Sequence, residues 1–504
     1  MRYFIMWIPH TIPKTTFHLF IPPEKTVPCR VRSNEVGHNI NSVDLSWADC
    51  TPKPLKLLCL DNMANHFAQY PKQLFECINH MNIEYLVEIL SISLPISLVI
   101  HVPGDEYWRR RYDHTWPTSV KITRNTVVTE SLKIIYLTKY VSEIIENLEP
   151  GYVDETELSE VLMVCSPYVT SIYCQQLRIQ SSMVQTLTIN ESKGYLPYDP
   201  IHIDLSFVLG ILKNVRNLSL VYGSRTFTTE PPIYTPTQYR FNIDDMDTLG
   251  RGLLISKHLT SLAITKSELN MAKFNRLLPY LMEYHGLEEI NFSFCKLCSL
   301  GVKSVAHFVK TARMLKIVNL CGNQIGPDGV ESLSFVMLWR RNNNYPAIEL
   351  NLSMNNISDI GAKYLASALA SGVQPFTKLR IRNCNITEIG GLNIAQSLAY
   401  DHGLRALEID NNPLTLEVAI ALHTSLKTNL NIEIISLQNC NFSQNITNFL
   451  SRVGFYNKHN KRSGFIYLDF EYLYEEIKEE DNISLEEEMM ELEITENDEK
   501  EGLL

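Results

Sequence analysis

The sequence predicts an α/β solenoid, in which short parallel strands form one sheet and helices cover its outer side. The clearest repeat lies at residues 315–325, where apolar residues and one asparagine follow the spacing L-x-x-L-x-L-x-x-N-x-L. Val318 and Leu320 alternate on a predicted strand, so both side chains point into the core. The Asn323 amide can satisfy backbone groups in the turn. The apolar spacing after residues 326–329 then predicts a helix.

The unit recurs along the chain, and the recurrence supports the solenoid more strongly than any single copy. The turn position is occupied in succession by Ser267, Cys295, Asn323, Asn355, Cys384, Asn412 and Cys440. These positions are 28, 28, 32, 29, 28 and 28 residues apart, and the longest step contains a predicted loop around residues 340–344. A period near 28, with both Asn and Cys at the turn, resembles the ribonuclease-inhibitor-like class of leucine-rich repeats. The resemblance implies a curved sheet with outer helices and indicates fold, not function.

Composition and periodicity divide the chain into four predicted regions. They are an extended, proline-rich arm at 1–70, a mainly helical domain at 71–180, the solenoid at 181–470 with an insertion at 224–243, and an acidic tail at 471–504. A short extended piece is expected at 94–102 within the helical domain. The first repeat strand is expected at 184–189. A capping strand is expected at 464–473, because the end of a solenoid must be closed.

Charge and cysteine usage limit the possible partners. The net charge is −11, but residues 471–501 contain 15 acidic and 2 basic residues, so the rest of the chain is nearly neutral. This balance argues against nucleic acid as a partner. No apolar run is long enough to span a bilayer, which argues against a membrane partner. Cysteines at repeat turns indicate reduced thiols and a cytoplasmic location.

The sequence shows no constellation typical of an enzyme. It lacks a glycine-rich phosphate loop, a His-Glu-x-x-His motif and a nucleophile elbow. Cys295 and Cys298 have a metal-ligand spacing, but no second pair matches them. We therefore expect no enzymatic activity, no metal, no cofactor and no small-molecule substrate.

The predicted strands place polar residues side by side on the concave face of the sheet. The central ladder reads Ala263, Asn291, Asn319, Asn351, Arg380, Glu408 and Ser436. The flanking ladders contain Glu349, Lys378 and Ala406 on one side, and Ser353, Arg382 and Asp410 on the other. Arg380 is therefore expected beside Glu408, Arg382 beside Asp410, and Glu349 beside Lys378. Two interpretations stay open, which are cross-strand ion pairs on an exposed sheet and a polar strip that binds a protein partner.

A second candidate surface lies in the helical domain. The segment Glu106–Pro117 combines aromatic and basic side chains, with Trp108, Tyr112 and Trp116 on one predicted helical face. Arg109 and Arg110 stand among them. Aromatic and arginine side chains are enriched in protein interfaces, so this segment is predicted to anchor the domain to a neighbouring protein.

Three features together resemble the T-complex-associated testis-expressed, or dynein regulatory complex subunit 5, family. They are the helical region with Ser93–Leu98, Glu106–Arg110 and Trp116-Pro117, the helix that ends at Glu149–Tyr152, and the repeat array behind them. The resemblance covers roughly residues 70–450. It implies a non-enzymatic scaffold in the nexin–dynein regulatory complex of motile cilia and flagella. Its partners would be other subunits of that complex and, indirectly, the doublet microtubules of the axoneme.

Two other functions remain possible from the sequence. One is a Ran-type GTPase activator, a class that combines similar repeats with an acidic tail. In that class the repeats begin near the N-terminus, whereas about 180 residues precede them here. The other is an F-box-like ubiquitin-ligase adaptor, because a helical module with Leu94-Pro95 and Trp116 precedes the repeats.

Overall fold

A computed structural model gives the architecture of this protein and describes residues 54–69, 73–117, 131–148, 155–177, 201–222 and 240–458. Several predicted features lie outside these residues. They are most of the proline-rich arm, the strand at 184–189, nearly all of the insertion at 224–243, the capping strand at 464–473 and the acidic tail. The chain divides into two compact units, residues 1–127 and residues 128–504.

The first unit is helical in its described residues. Its elements are α1 (Leu55–Asn65), a 3₁₀ turn (Phe67–Gln69), α2 (Gln73–Cys77), α3 (His80–Ile89), α4 (Ile96–Val99) and α5 (Glu106–Thr115). Helix α3 packs against α1 and α5. Its core contains Phe67, Leu86, Leu90 and Trp108, all nearly or fully buried.

Two expectations about this unit were wrong. The end of the predicted extended arm is helix α1, because Leu, Lys, Met and Ala favour helix and Pro54 stands at its N-cap. The predicted extended piece at 94–102 contains the one-turn helix α4, where Pro95 again occupies the N-cap. In both places a proline stands at the start of a helix, whereas proline-rich sequence predicts extended chain.

The second unit is the solenoid. Its elements are α6 (Leu132–Asn147), α7 (Glu155–Cys165), β1 (Ser171–Cys174), α8 (Leu205–Ile211), β2 (Asn217–Leu220), α9 (Asp244–Ile255), β3 (Ser261–Ile264), α10 (Met271–Glu283), β4 (Glu289–Asn291), α11 (Ser299–Thr311), β5 (Ile317–Asn319), α12 (Pro327–Asn342), β6 (Ile348–Asn351), α13 (Ser358–Leu369), β7 (Phe376–Arg380), α14 (Glu388–Ser397), β8 (Ala406–Glu408), α15 (Leu416–Thr428), β9 (Ile434–Ser436) and α16 (Gln444–Lys458). The strands form one parallel sheet in chain order from β1 to β9. Each helix from α8 to α15 packs against the next helix in sequence. None of the helices in the described part of the chain combines the length and apolar character that a bilayer span needs.

Helix α6 closes the exposed edge of the sheet at β1. It packs along β1, and the Ser142 hydroxyl accepts a hydrogen bond from the backbone N–H of Tyr173 at 3.0 Å. The Glu146 carboxylate accepts another from Gln175, also at 3.0 Å. An unpaired strand edge invites pairing with other chains, so these two bonds protect it. Helix α6 and strand β1 thus belong to the solenoid unit, although both precede its predicted start at residue 181.

The turn position of the repeat holds neighbouring repeats together. Asn412 is fully buried, and its Oδ1 accepts the backbone N–H groups of Cys384 and Ile386 in the preceding repeat at 2.9 and 3.2 Å. Its Nδ2 donates to three backbone carbonyls, those of Ile381, Ile409 and Asp410. Asn323 and Asn355 repeat this pattern. Each asparagine therefore links two repeats.

Cysteines occupy the same turn position in three other repeats, at Cys295, Cys384 and Cys440, and make fewer hydrogen bonds than the asparagines. The thiol of Cys384 lies 3.3 Å from the carbonyl of Leu352, and that of Cys295 lies 3.1 Å from the carbonyl of Ile264. Burial raises the pKa of each of these thiols to about 12. The thiols therefore stay protonated and serve as structural donors.

The residue immediately before the turn position repeatedly adopts the left-handed backbone conformation. The residues concerned are Lys266, Phe294, Gly322, Met354, Asn383, Asn411 and Asn439, with φ between 49° and 66°. Asparagine tolerates this conformation better than most residues, which accounts for three of the seven. Gly322 is also constrained by space, since a Cβ there would lie 2.4 Å from the ring of Phe294.

Candidate protein-binding surface

The sheet has one face that its helices leave uncovered, which we call the open face. Its central ladder is Tyr173, Ser219, Ala263, Asn291, Asn319, Asn351, Arg380, Glu408 and Ser436, in the order β1 to β9. From Ala263 onward, the strand pairing places every member of the predicted ladder beside its predicted neighbour. Glu349 also pairs with Lys378, and Lys378 with Ala406. The register predicted from the repeat is therefore confirmed.

Charged residues of β7 and β8, and of the segments that directly follow these strands, form a compact cluster on the open face. Glu408 is the centre of this charge cluster, because Lys378, Arg380 and Arg382 all approach its carboxylate. The Arg380 Nε lies 3.3 Å from Glu408, and the Arg382 Nη2 lies 2.8 Å from it. The Arg382 Nε also lies 2.7 Å from Asp410. Two of the three predicted ion pairs are thus present.

The third predicted ion pair, between Glu349 and Lys378, is not formed, because each of these residues has a different partner. Glu349 and Lys378 lie side by side in the sheet, but the Lys378 ammonium group reaches across to Glu408. Glu349 instead lies 4.0 Å from Arg380. Glu408 is the more buried acceptor, with 9% of its side chain exposed against 39% for Glu349, so a bond there is less screened by water.

Two anions of the charge cluster, Glu408 and Asp410, are more deeply buried than its cations. The side chains of Glu408 and Asp410 are 9% and 7% exposed, whereas that of Arg382 is 45% exposed. Asp410 also accepts hydrogen bonds from the Ser436 hydroxyl and from the backbone N–H of Gln438. A partner that approaches the cluster therefore meets the Arg382 guanidinium group before the carboxylates of Glu408 and Asp410.

The pKa of Glu408 reflects this arrangement. Burial alone would raise the pKa of its carboxyl group, but the hydrogen bond from Lys378 and the charges of Lys378, Arg382 and Arg380 outweigh burial and lower it below the ordinary value of 4.5. A carboxyl group whose pKa is lowered on folding stabilises the fold above its unfolded pKa. That stabilisation is lost as the pH falls through the lowered pKa that the carboxyl group has in the folded protein.

We therefore predict that Glu408→Gln costs about 2 kcal/mol of folding free energy at neutral pH, because three cations lose a partly buried counter-charge. The difference between the variant and the parent should shrink as the pH falls below about 4.5. Urea denaturation of the variant and the parent at a series of pH values measures this difference in folding free energy. A difference that stays constant with pH would show that the Glu408 charge does not stabilise the cluster.

The predicted docking segment of the first unit is partly used for internal packing. Trp108 is fully buried, and its Nε1 donates to the carbonyl of Val102 at 3.3 Å. Arg110 donates to the carbonyls of Val87 and Leu90 at 2.8 and 3.2 Å, which caps the end of α3. The prediction that Trp108 contacts a partner was therefore wrong. Helical spacing identifies residues that share a face, but it does not reveal whether that face is the core.

The remaining residues of that segment stay candidates. Arg109 pairs with Glu106 at 2.6 Å. The rings of Tyr112 and Trp116 lie 5.0 Å apart, and both side chains are half-buried. An interface through them remains a prediction.

A buried His–Asp pair has a geometry that is also found in catalytic acid–base pairs. Here, however, it lies in the core, surrounded by aromatic rings. The His202 Nδ1 lies 2.8 Å from Asp245, and both residues are buried. The rings of Tyr222 and Phe241 pack beside them, so a substrate has no access. Across the described ranges, no three His, Cys, Asp or Glu side chains are grouped so as to hold a metal ion.

Comparison with known proteins supports the repeat class. A family model described as leucine rich repeat matches residues 311–334 and 348–366. The chain carries leucine-rich repeats of the ribonuclease-inhibitor type. Ribonuclease inhibitor from Sus scrofa is 27% identical over 146 residues, which is 23% of this chain and 31% of that protein. Proteins of this repeat class usually bind other proteins and are not catalytic.

Two further relatives have a similar level of sequence identity to this chain. Dynein regulatory complex subunit 5 from Chlamydomonas reinhardtii is 22% identical over 219 residues, 43% of this chain and 48% of that protein. NACHT, LRR and PYD domains-containing protein 13 from Homo sapiens is 25% identical over 187 residues, 37% of this chain and 18% of that protein. The matched regions thus span less than half the length of each of these relatives.

Proposed function

We propose that this protein is a non-enzymatic scaffold subunit of the nexin–dynein regulatory complex in motile cilia and flagella. Its open face would bind neighbouring subunits and so help to regulate dynein-driven motility. The observation that carries the proposal is the similarity to the Chlamydomonas regulatory-complex subunit, which extends over 48% of that protein. The similarities to proteins with NACHT and PYD domains in their names extend over 15% to 29% of those proteins.

The geometry of the open face suits this role. The charge cluster contains three cations, Lys378, Arg380 and Arg382, and three anions, Glu349, Glu408 and Asp410. A balanced, hydrogen-bonding surface favours a specific protein partner over a uniformly charged one such as the microtubule wall. A rigid sheet also holds such groups at fixed spacing, which lowers the entropy cost of binding.

The test is the location of the tagged full-length protein in ciliated cells after detergent extraction. We expect retention on the demembranated axoneme and association with regulatory-complex subunits that survives high salt. A tagged cytoplasmic enzyme serves as the control for complete release. Complete release of this protein, or its expression in cells that never build motile cilia, would contradict the proposal. Assays for stimulated GTP hydrolysis and for binding to a ubiquitin-ligase linker would then examine the alternatives.

A further inference from the structure

Two kinds of backbone hydrogen bond join successive repeats on the way to the outer edge of β9. In the first kind, the residue after the ladder position donates its N–H to the ladder carbonyl of the next strand, at 2.8–3.0 Å. Its donors are Phe292, Leu320, Leu352, Ile381 and Ile409. In the second kind, the residue before the turn position donates to the carbonyl two residues beyond the next ladder position, at 2.7–3.0 Å. Its donors are Lys266, Phe294, Gly322, Met354, Asn383 and Asn411.

The repeat of β9 contains the same two donors without their acceptors. They are the backbone N–H groups of Leu437 and Asn439, and neither meets an acceptor among the residues that the structure describes. Leu437 is fully buried, so its N–H is shielded from bulk water. Buried backbone N–H groups are almost always paired in native proteins. The outer edge of β9 therefore requires two acceptors with the spacing of a strand.

The two edges of the sheet differ in what the adjoining helix provides. At β1, helix α6 provides two acceptors, the Ser142 hydroxyl and the Glu146 carboxylate. At β9, the Ser451 hydroxyl of helix α16 donates to the carbonyl of Ile435 at 3.3 Å. It satisfies an acceptor of the edge and not the two unpaired donors. A strand edge in this state favours the addition of another strand, whose carbonyls have the required spacing.

The sequence after α16 contains a segment with the apolar spacing of a repeat strand. In the repeat of β9, that spacing is set by three buried residues, Ile432, Ile435 and Leu437. The same spacing recurs in the sequence at Phe465, Leu468 and Phe470. It places Asp469 at the ladder position that Ser436 occupies in β9. The segment therefore carries the complete apolar pattern of a strand in this sheet.

The length of the connection also fits. Helix α16 ends at residue 458, so residues 459–466 would join it to a strand at 467–470. Residues 398–405, a connection of equal length, join α14 to β8. This register places Tyr467 beside Ile434, which lies on the open face with 47% of its surface exposed. An aromatic ring at that position would cover an apolar side chain that the described residues leave in water.

We propose that residues 467–470 add to the outer edge of β9 as a tenth parallel strand. The carbonyl of Asp469 would accept the N–H of Leu437, and the carbonyl of Glu471 would accept the N–H of Asn439. The proposal gives the capping strand predicted from the sequence a register and a set of hydrogen bonds. It does not depend on the scaffold function, because it follows from the backbone of the solenoid alone.

Two substitutions in the segment provide the test. Leu468 would occupy the position of the buried Ile435, so Leu468→Asp should prevent the strand from adding. Ile466 would occupy the position of Arg405 and Glu433, two charged residues that pair on the surface. Ile466→Asp introduces the same charge two residues away and is the matched control. A register shifted by two residues would bury Ile466 as well, so the control also tests the register.

The measurement is hydrogen exchange of single backbone amides in the full-length protein. We expect the amides of Leu437 and Asn439 to exchange at least about 100-fold more slowly than in an unfolded chain. Leu468→Asp should remove at least about tenfold of this protection at both positions, and Ile466→Asp should leave it unchanged. The amide of Leu350 in β6 should stay protected in both variants, which shows that the rest of the solenoid is folded.

Three results would overturn the proposal. Fast exchange of Leu437 in the parent protein would show that no strand covers the edge, and this measurement does not depend on a variant. Equal effects of Leu468→Asp and Ile466→Asp would contradict the register. Protection that disappears on dilution to a monomer would assign the added strand to a second copy of the chain. None of these results affects the test of axonemal retention, so failure of this proposal and failure of the scaffold proposal are distinguishable.

Discussion

Replacing Asn412 with alanine should lower the free energy of unfolding by about 4 kcal/mol, the largest single effect that we expect in the solenoid. The substitution leaves the buried backbone N–H groups of Cys384 and Ile386 without an acceptor. It also removes the donor that serves three carbonyl groups. Each unsatisfied buried donor costs about 1–3 kcal/mol, and the methyl group of alanine cannot accept a hydrogen bond from either N–H group. Urea denaturation followed by circular dichroism measures the change.

Asn356→Ala provides the matched control for this prediction. Asn356 is exposed and accepts one hydrogen bond, from the neighbouring Asn385. Its removal should change the stability by less than about 0.5 kcal/mol, because water replaces the lost partner. A similar loss of stability in both variants would mean that the buried asparagines do not link the repeats as described.

Replacing Arg340 with methionine should cost about 3 kcal/mol, the second large effect. Arg340 is fully buried, and its guanidinium donates to the carbonyls of Val309, Ala312 and Leu315 at the end of the preceding helix α11. Burial lowers the pKa of its side chain to about 10, which still leaves it charged at neutral pH. Methionine keeps most of the volume but no donor, so the three carbonyls would lose their partner.

Arg313→Met is the control for Arg340→Met, because Arg313 is exposed. It should leave the urea midpoint nearly unchanged. A buried charge can sometimes be replaced by an apolar residue without loss when all its partners are replaced as well. Here the partners are backbone carbonyls, which no side-chain substitution removes. An unchanged or higher midpoint in Arg340→Met would contradict the capping role.

The repeat allowed the open face to be predicted in detail. Once Asn319 and Asn351 were assigned to equivalent positions, a parallel sheet left no freedom in the register, so the whole ladder followed. The pairing of Arg380 with Glu408 and of Arg382 with Asp410 followed from the same register. Lys378 was assigned the wrong partner, because a long side chain can reach a more buried carboxylate diagonally.

Features that depend on packing could not be predicted in this way. Arg340 was placed in a loop, but helix α12 continues to Asn342, and this extension carries the guanidinium beneath the preceding helix. Trp108 was placed on a surface because its segment has the composition of an interface, whereas it fills a core. The cap that α6 forms over β1 depends on Ser142 and Glu146, two residues that any exposed helical face could contain. For Trp108 and for the cap formed by α6, the deciding contact joins residues that no sequence period relates.

The most direct test of the central claim is a site-specific photo-cross-link in isolated axonemes. Tyr173 lies on the ladder of the open face and is 54% exposed, so benzoylphenylalanine can replace it with little disturbance. Phe335 lies on helix α12, is 64% exposed and provides the comparison site. We predict that position 173 cross-links to a subunit of the regulatory complex and that position 335 does not. Cross-links from position 335 alone, or from neither position, would contradict a scaffold that binds its partner through the open face.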